Sequence, residues 1–172
     1  DSSGDEDLLT LLKAYIRARY EKPGEAYLGL VHRLDRPVGG VMAFAKTSKA
    51  AARLSAQFAG HEAKKRYCAI VSGHPKPQGL LTDWLYKDET TFSSRVVPTG
   101  TDGAKEARLS YALLAQAETT ALLDIELYTG RPHQIRVQLQ HAGYPIYGDQ
   151  RYAQGAHDRE QIRLWAYALT LS

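Results

Sequence analysis

The stretch His32-Arg33-Leu34-Asp35-Arg36-Pro37-Val38-Gly39-Gly40 organises the chain. It sets one acid among three bases and follows them with residues that force an irregular backbone. Asp35 lies between Arg33 and Arg36, and opposite charge nearby favours the charged form of a carboxyl group. Pro37 fixes its own φ and pushes Arg36 away from helix. Gly39 and Gly40 permit a positive φ or the close approach of another chain segment. The next run, Val41-Met42-Ala43-Phe44-Ala45, reads as a strand. Asp35 is therefore expected on a tight polar loop leading into a buried strand, the setting in which a rigid scaffold holds binding and catalytic groups. The plainer reading is a surface ion pair beside a turn, and the rest of the chain decides between the two.

Composition narrows the choice. The chain has 172 residues, 44% of them hydrophobic and 24% charged, which suits one globular domain with a substantial core. No apolar run reaches the roughly 18 residues of a membrane span, so no membrane partner is expected. The start, Asp1 to Asp7, is a polar acidic lead-in and not a signal peptide. One cysteine, Cys68, cannot form an internal disulfide and fits a reducing, cytoplasmic compartment. The net charge of +3 permits a nucleic-acid partner without requiring one. Distribution says more, because basic residues cluster at 33–36, 64–66 and 131–136.

Apolar spacing predicts an amphipathic helix from Leu8 to Tyr20 with Leu8, Leu12, Tyr15 and Ile16 on its buried face. A second helix is expected over Lys49–Ala59, with Ser48 as N-cap, Gly60 as its stop and Ala51, Leu54 and Phe58 inward. Residues 67–72 read as a strand with Tyr67, Ala69 and Val71 on one face. The pattern from Leu80 to Arg95 is weak and reads as short strands or loop. Arg108–Ala115 and Ala121–Tyr128 read as a hairpin pair. Pro132 suits a first helical position, so a helix is expected from Pro132 to about His141. Short strands are expected at Ile146–Asp149 and Leu164–Leu171.

Two further stretches stand in order behind the first: Lys65-Arg66-Tyr67-Cys68-Ala69 and Thr129-Gly130-Arg131-Pro132-His133-Gln134-Ile135-Arg136. Together with His32-Arg33-Leu34-Asp35-Arg36 and Gly40, they resemble the ordered motifs of the RluA-type RNA pseudouridine synthases, across about Leu28 to Tyr152. The resemblance implies an α+β fold, a mixed, largely antiparallel central sheet flanked by helices, with a catalytic cleft across it. It implies one catalytic domain over 1–172, cut short at both ends and without the separate N-terminal RNA-binding domain of many relatives. The implied reaction detaches uracil from ribose, turns it and rejoins it through carbon-5. No atoms are gained or lost, so neither cofactor nor metal is expected. Structured RNA, ribosomal or transfer, is the implied partner, and a monomer is the default state.

The resemblance makes Asp35 the catalytic carboxylate, used as a nucleophile or as a base. Arg131, at the expected helix start, can pair bidentately with it. Tyr67 would offer a ring to the target base and a hydroxyl for proton handling; its plainer role is core packing. Arg33 is the candidate to fill the space left by a flipped uridine, and otherwise contacts phosphate. Arg36, Lys64, Lys65 and Arg136 are candidate phosphate contacts, or simply a solvated basic face. Leu34 and Ile135 are candidate apolar walls that keep water from a glycosyl intermediate, or ordinary core. His133 and Gln134 match the motif without an assignable step. The chain departs from relatives at Val38-Gly39, where Thr-Ser is frequent, and at Pro132.

Other classes fare worse. The histidines lack metal-ligand spacing, and Gly-x-Gly-x-x-Gly, phosphate-loop and Gly-x-Ser-x-Gly motifs are absent. A glycosidase would need two carboxylates flanking the bond, and Asp149, the nearest second candidate, reads as structural. A non-catalytic RNA-binding module would be favoured by loss of Asp35, Tyr67 or Arg131, and all three are present.

Overall fold

The computed structural model describes residues 6–21, 23–155 and 160–172. Of the polar lead-in expected over Asp1–Asp7, residues 1–5 lie outside the described residues. In chain order the elements are α1 (Leu8–Arg19), β1 (Gly29–Leu30), β2 (Gly39–Gly40), β3 (Phe44–Ala45), α2 (Ser48–Ala59), β4 (Lys64–Ser72), β5 (Gln78–Asp88), β6 (Ser93–Val97), β7 (Lys105–Gln116), β8 (Thr120–Leu127), α3 (Gln134–His141) and β9 (Leu164–Thr170). They fall into two compact units. One holds Asp1–Arg33, Met42–Glu62 and Leu171–Ser172; the other holds Leu34–Val41 and Ala63–Thr170.

The smaller unit carries α1, α2 and the antiparallel pair β1–β3. Asp7 caps α1, its carboxylate accepting from the Thr10 N–H at 3.0 Å. Ile16 is buried with Ala26 and Leu28, and Leu9, Leu12 and Phe44 pack around them. Leu8 and Tyr15, expected inward, are exposed: the helix buries only the narrow stripe that this small cluster can cover. Thr47, not Ser48, caps α2 by accepting from the Ala50 N–H at 3.1 Å. Gly29 lets β1 lie close under α2, since a Cβ there would stand 3.0 Å from the Ala51 methyl. His32 stacks on Phe58 at 4.5 Å and accepts from the Ala43 N–H at 2.8 Å. That loop bond interrupts the strand expected over Val41–Ala45, which survives only as β3.

The larger unit is a seven-stranded sheet in the order β2-β9-β4-β8-β7-β5-β6, antiparallel except where β2 runs parallel to β9. The α+β architecture with a mixed, largely antiparallel sheet is the one expected. Its core combines Val71, Leu109, Leu123, Ile125, Leu139 and Ile146. The β7–β8 hairpin closes through the Ala117 N–H to Thr120 carbonyl bond at 2.8 Å.

Three expectations need correction here. The weak stretch after Leu80 is a full strand, β5, paired with β6 and β7. Residues 146–149 form no strand beyond a single bridge from Ile146 to Val71. Gly148 turns the chain there with φ +73, packed so closely that a Cβ would meet the Gln161 carbonyl at 2.5 Å. Third, α3 begins at Gln134 and not at Pro132. His133 is left-handed (φ 54, ψ 21), and the Gln134 N–H bonds the Arg131 carbonyl at 3.1 Å. Proline followed by a positive-φ residue marks a type II turn, so Pro132 serves the turn that precedes the helix.

Candidate active site

Asp35 opens a tight turn in which the Val38 N–H donates to its carbonyl at 2.9 Å. The far end of the loop is tied to β9: Gly39 pairs with Trp165, Gly40 with Ala166, and the Val41 N–H reaches the Ala166 carbonyl at 2.8 Å. Gln161 donates to the Pro37 carbonyl. The loop is thus held by backbone on both sides, and the Asp35 side chain keeps 27% of its surface accessible.

Its partner comes from α3. Arg136 is buried, and one guanidinium serves two acids. Nε and Nη2 grip Asp149 at 2.8 and 2.7 Å, while Nη1 reaches Asp35 Oδ2 at 3.3 Å. The distances rank these contacts. The Asp149 grip is short, two-pronged and buried, so it fixes the guanidinium; the Asp35 bond is longer and single, so it can yield to a substrate. Burial works against the Arg136 charge, but its bonds to Asp149 and the charges of Asp149 and Asp35 outweigh it and hold the group above its ordinary range. Asp149 also accepts from the Arg151 and Tyr152 N–H groups at 3.0 and 3.2 Å.

Two rings complete the cluster. Tyr152 lies with its centroid 5.0 Å from the Arg136 guanidinium carbon. Its hydroxyl accepts from the Ser94 N–H at 2.9 Å and stands 2.7 Å from His133 Nδ1. Burial holds His133 below its ordinary pKa, against the opposing pull of Asp35. Tyr67 follows a register shift between Arg66 and Tyr67 in the β4–β9 pairing, the kind of irregularity that re-aims a side chain. Burial, then the nearby Asp35 charge, pushes its hydroxyl up to about 12. Tyr67 is therefore a neutral phenol at working pH, able to donate a hydrogen bond and to present a ring.

The structure thus brings together Asp35, Tyr67 and Arg136. Arg136 was expected on phosphate; buried to 5% exposure, it cannot serve there. The pairing with Asp35 expected of Arg131 is made by Arg136 instead. Arg131 donates from Nε to the Glu106 carbonyl at 2.9 Å. Lys65 is half-buried against the same corner, with Nζ 3.4 Å from the Thr129 carbonyl. Burial, then the Arg131 charge, lowers its pKa. Lys64 and Arg36 are exposed, and Leu34 is half-buried. Ile135 belongs to the main core. Arg33 is exposed and belongs to the smaller unit.

The buried amides were not anticipated. Gln134 accepts from Thr129 Oγ1 at 2.7 Å and from the Arg131 N–H at 3.0 Å, and donates to the Arg108 carbonyl at 3.1 Å. It holds the Thr129–Arg131 corner to the start of α3. Nothing in the sequence singles out Tyr152, and Asp149 reads there as structural with no named partner. The available signal was Gly148-Asp149 followed by an aromatic, too short to read alone. Among the described residues, no group of three or more His, Cys, Asp or Glu side chains could hold a metal ion. No helix is long and apolar enough to cross a membrane.

Residues 2–141 match the family model described as RNA pseudouridylate synthase. Ribosomal large subunit pseudouridine synthase D of Zymomonas mobilis is 36% identical over 129 residues, 75% of this chain and 40% of that protein. tRNA pseudouridine synthase C of Vibrio parahaemolyticus is 35% identical over 140 residues, 75% of this chain and 56% of that protein. The chain thus spans about half the length of these curated relatives. In fold it resembles the solved structure of human RNA pseudouridylate synthase domain containing 4, with a TM-score of 0.77 and 23% identity, covering 95% of this chain and 72% of the human one.

Proposed function

Because the chain belongs to the RNA pseudouridylate synthase family, we propose that it isomerises uridines of a structured ribosomal or transfer RNA to pseudouridine, in the cytoplasm. The observation that carries the reading is the pairing of a partly accessible carboxylate with a buried guanidinium that a second acid has already fixed. Such an arrangement keeps a reacting group oriented without consuming it, since Arg136 binds one of the two Asp35 oxygens.

In this reading Asp35 is the essential group. It attacks the sugar or the base, or removes a ribose proton; each use needs a lone pair on a positioned carboxylate. Arg136 holds Asp35 before the reaction and stabilises negative charge as the glycosidic bond breaks. Tyr67 stacks under the detached uracil, a contact of roughly 1–3 kcal/mol. As a neutral phenol it also donates a hydrogen bond to the turning base. Arg33 fills the space left by the flipped nucleotide, offsetting part of the few kcal/mol that unstacking costs. Arg131 meets the RNA backbone near the target, Lys65 supports that corner through the Thr129 carbonyl, Arg36 and Lys64 meet phosphates further out, and Leu34 and Ile135 exclude water. No cofactor or metal takes part, and the protein acts as a monomer.

Tritium release from carbon-5 of labelled uridine in total ribosomal and transfer RNA tests the reading. The natural protein should release tritium and Asp35→Asn should not. Equal release from both would remove Asp35 from the chemistry. RNA binding without release by the full-length protein would make it a binding module.

A further inference from the structure

We infer that Trp165 is a positioning residue for Asp35, acting through Gly39. The inference rests on the reading of Asp35 as the reacting carboxylate. Trp165 lies on β9 and leaves 55% of its surface exposed, unusual for so large an apolar side chain. Its ring lies on the backbone of the Asp35 loop. A Cβ built at Gly39 would fall 2.1 Å from Cζ3 and 2.6 Å from Cε3 of the indole. One residue on, Gly40 has φ +134, and a Cβ there would fall 2.2 Å from the Ala166 carbonyl oxygen. Two consecutive glycines are therefore needed for different reasons. Gly40 lets the loop backbone meet the β9 backbone, and Gly39 makes room for the indole.

The consequence falls on Asp35. Its loop is short: the Val38 N–H returns to the Asp35 carbonyl, and the next residue is already under the ring. Hydrogen bonds tie the loop along its edge, through the two-pair ladder between β2 and β9, the Val41 N–H on the Ala166 carbonyl and the Gln161 amide on the Pro37 carbonyl, whereas the indole bears on the face of Gly39. Trp165 closes the remaining freedom from one side. It also lines a cavity of about 540 Å³ with Cys68, Ile70 and Leu122. Gly39 lines the same cavity, so loop and ring share one wall of it. An error near 1 Å in a reacting group costs about 100-fold in rate, so a contact that sets the loop height acts on kcat although it never meets RNA.

The test uses Trp165→Ala, Trp165→Phe, Gly39→Ala and the double variant Gly39→Ala/Trp165→Ala. Two readouts are taken: single-turnover tritium release, and amide hydrogen exchange at Val38 and Val41. Trp165→Ala should lower kcat about 100-fold with KM for RNA unchanged, and should speed exchange at both amides about tenfold while core amides of β8 stay protected. Trp165→Phe should restore both readouts. Gly39→Ala alone should be as impaired, and the double variant less impaired than either single change. Natural kcat and exchange in Trp165→Ala would overturn the proposal, as would a fully active Gly39→Ala. If the natural protein released no tritium, the enzymatic reading would fail. The exchange measurements would still decide whether Trp165 holds the loop.

Discussion

Arg136 shows how two ion pairs sharing one guanidinium do different work. Asp149 is 1% exposed and held by two short bonds; Asp35 is 27% exposed and held by one long one. Removing one partner of a buried pair strands a charge and costs about 3–5 kcal/mol, whereas a partly exposed pair is worth about 0–1 kcal/mol. Asp149→Asn should therefore lower stability by about 3 kcal/mol in urea unfolding. Asp35→Asn should change it by less than about 1 kcal/mol while abolishing activity. Equal destabilisation in the two variants would mean that Asp149 does not anchor the guanidinium. His133 adds a pH dependence. Burial holds its folded pKa below the ordinary 6.5. As pH falls below about 6.5, the unfolded chain gains a proton that the folded chain refuses, and stability declines until the folded value is passed. Asn tolerates the left-handed backbone at this position. His133→Asn should therefore flatten the fall in stability as pH drops below about 6.5, read from urea midpoints at a series of pH values.

At the scale of elements, the sequence was most legible where one kind of pattern governed alone. The β7–β8 hairpin alternates cleanly, and α2 shows a helical stripe ended by Gly60. β5 hid because two of its inward positions are not apolar. Gly79 is inward so that the Tyr111 ring can lie over it, and Asp83 is inward because Gln138 donates to its carboxylate at 2.7 Å. α3 concealed its role in the same way. Its buried run Gln134–Leu139 alternates polar and apolar, which signals no helical face, because the amides and Arg136 are satisfied inside. The three motifs pointed to Asp35 and Tyr67. They did not say which arginine of the third motif meets Asp35, because the left-handed turn at His133 sets the phase of the helix that follows. The Asp83–Gln138 bond offers a direct check on these inward polar positions. Gln138→Met should strand the Asp83 acceptor and cost about 1–3 kcal/mol, and Asp83→Val in the same chain should recover most of that stability. Additive effects in the double-mutant cycle would mean that the two side chains are not coupled.

For the whole molecule, a net charge of +3 over 172 residues is too small to bind RNA through a general field. On the proposed function, affinity for RNA comes from local phosphate pairing, and burial decides which cations can supply it. Arg136 is committed to two acids and Lys65 is half-buried, whereas Arg33, Arg36 and Lys64 are exposed. Each phosphate that a cation neutralises releases counterions and adds close to one unit to the slope of log affinity against log salt. Replacing Arg36 or Lys64 with Gln should therefore weaken binding to ribosomal and transfer RNA alike, and each replacement should lower the slope by about one unit. Tritium release at saturating RNA should be unaffected. Arg33 should behave differently if it enters the space of the flipped uridine. Arg33→Gln should lower kcat at saturating RNA, because unstacking then lacks its offset, and a single-stranded substrate, already unstacked, should recover much of the rate. Filter binding from about 50 to 200 mM salt, paired with single-turnover release, separates the two classes. A slope unchanged in all three variants would move the RNA-binding surface to another face of the molecule.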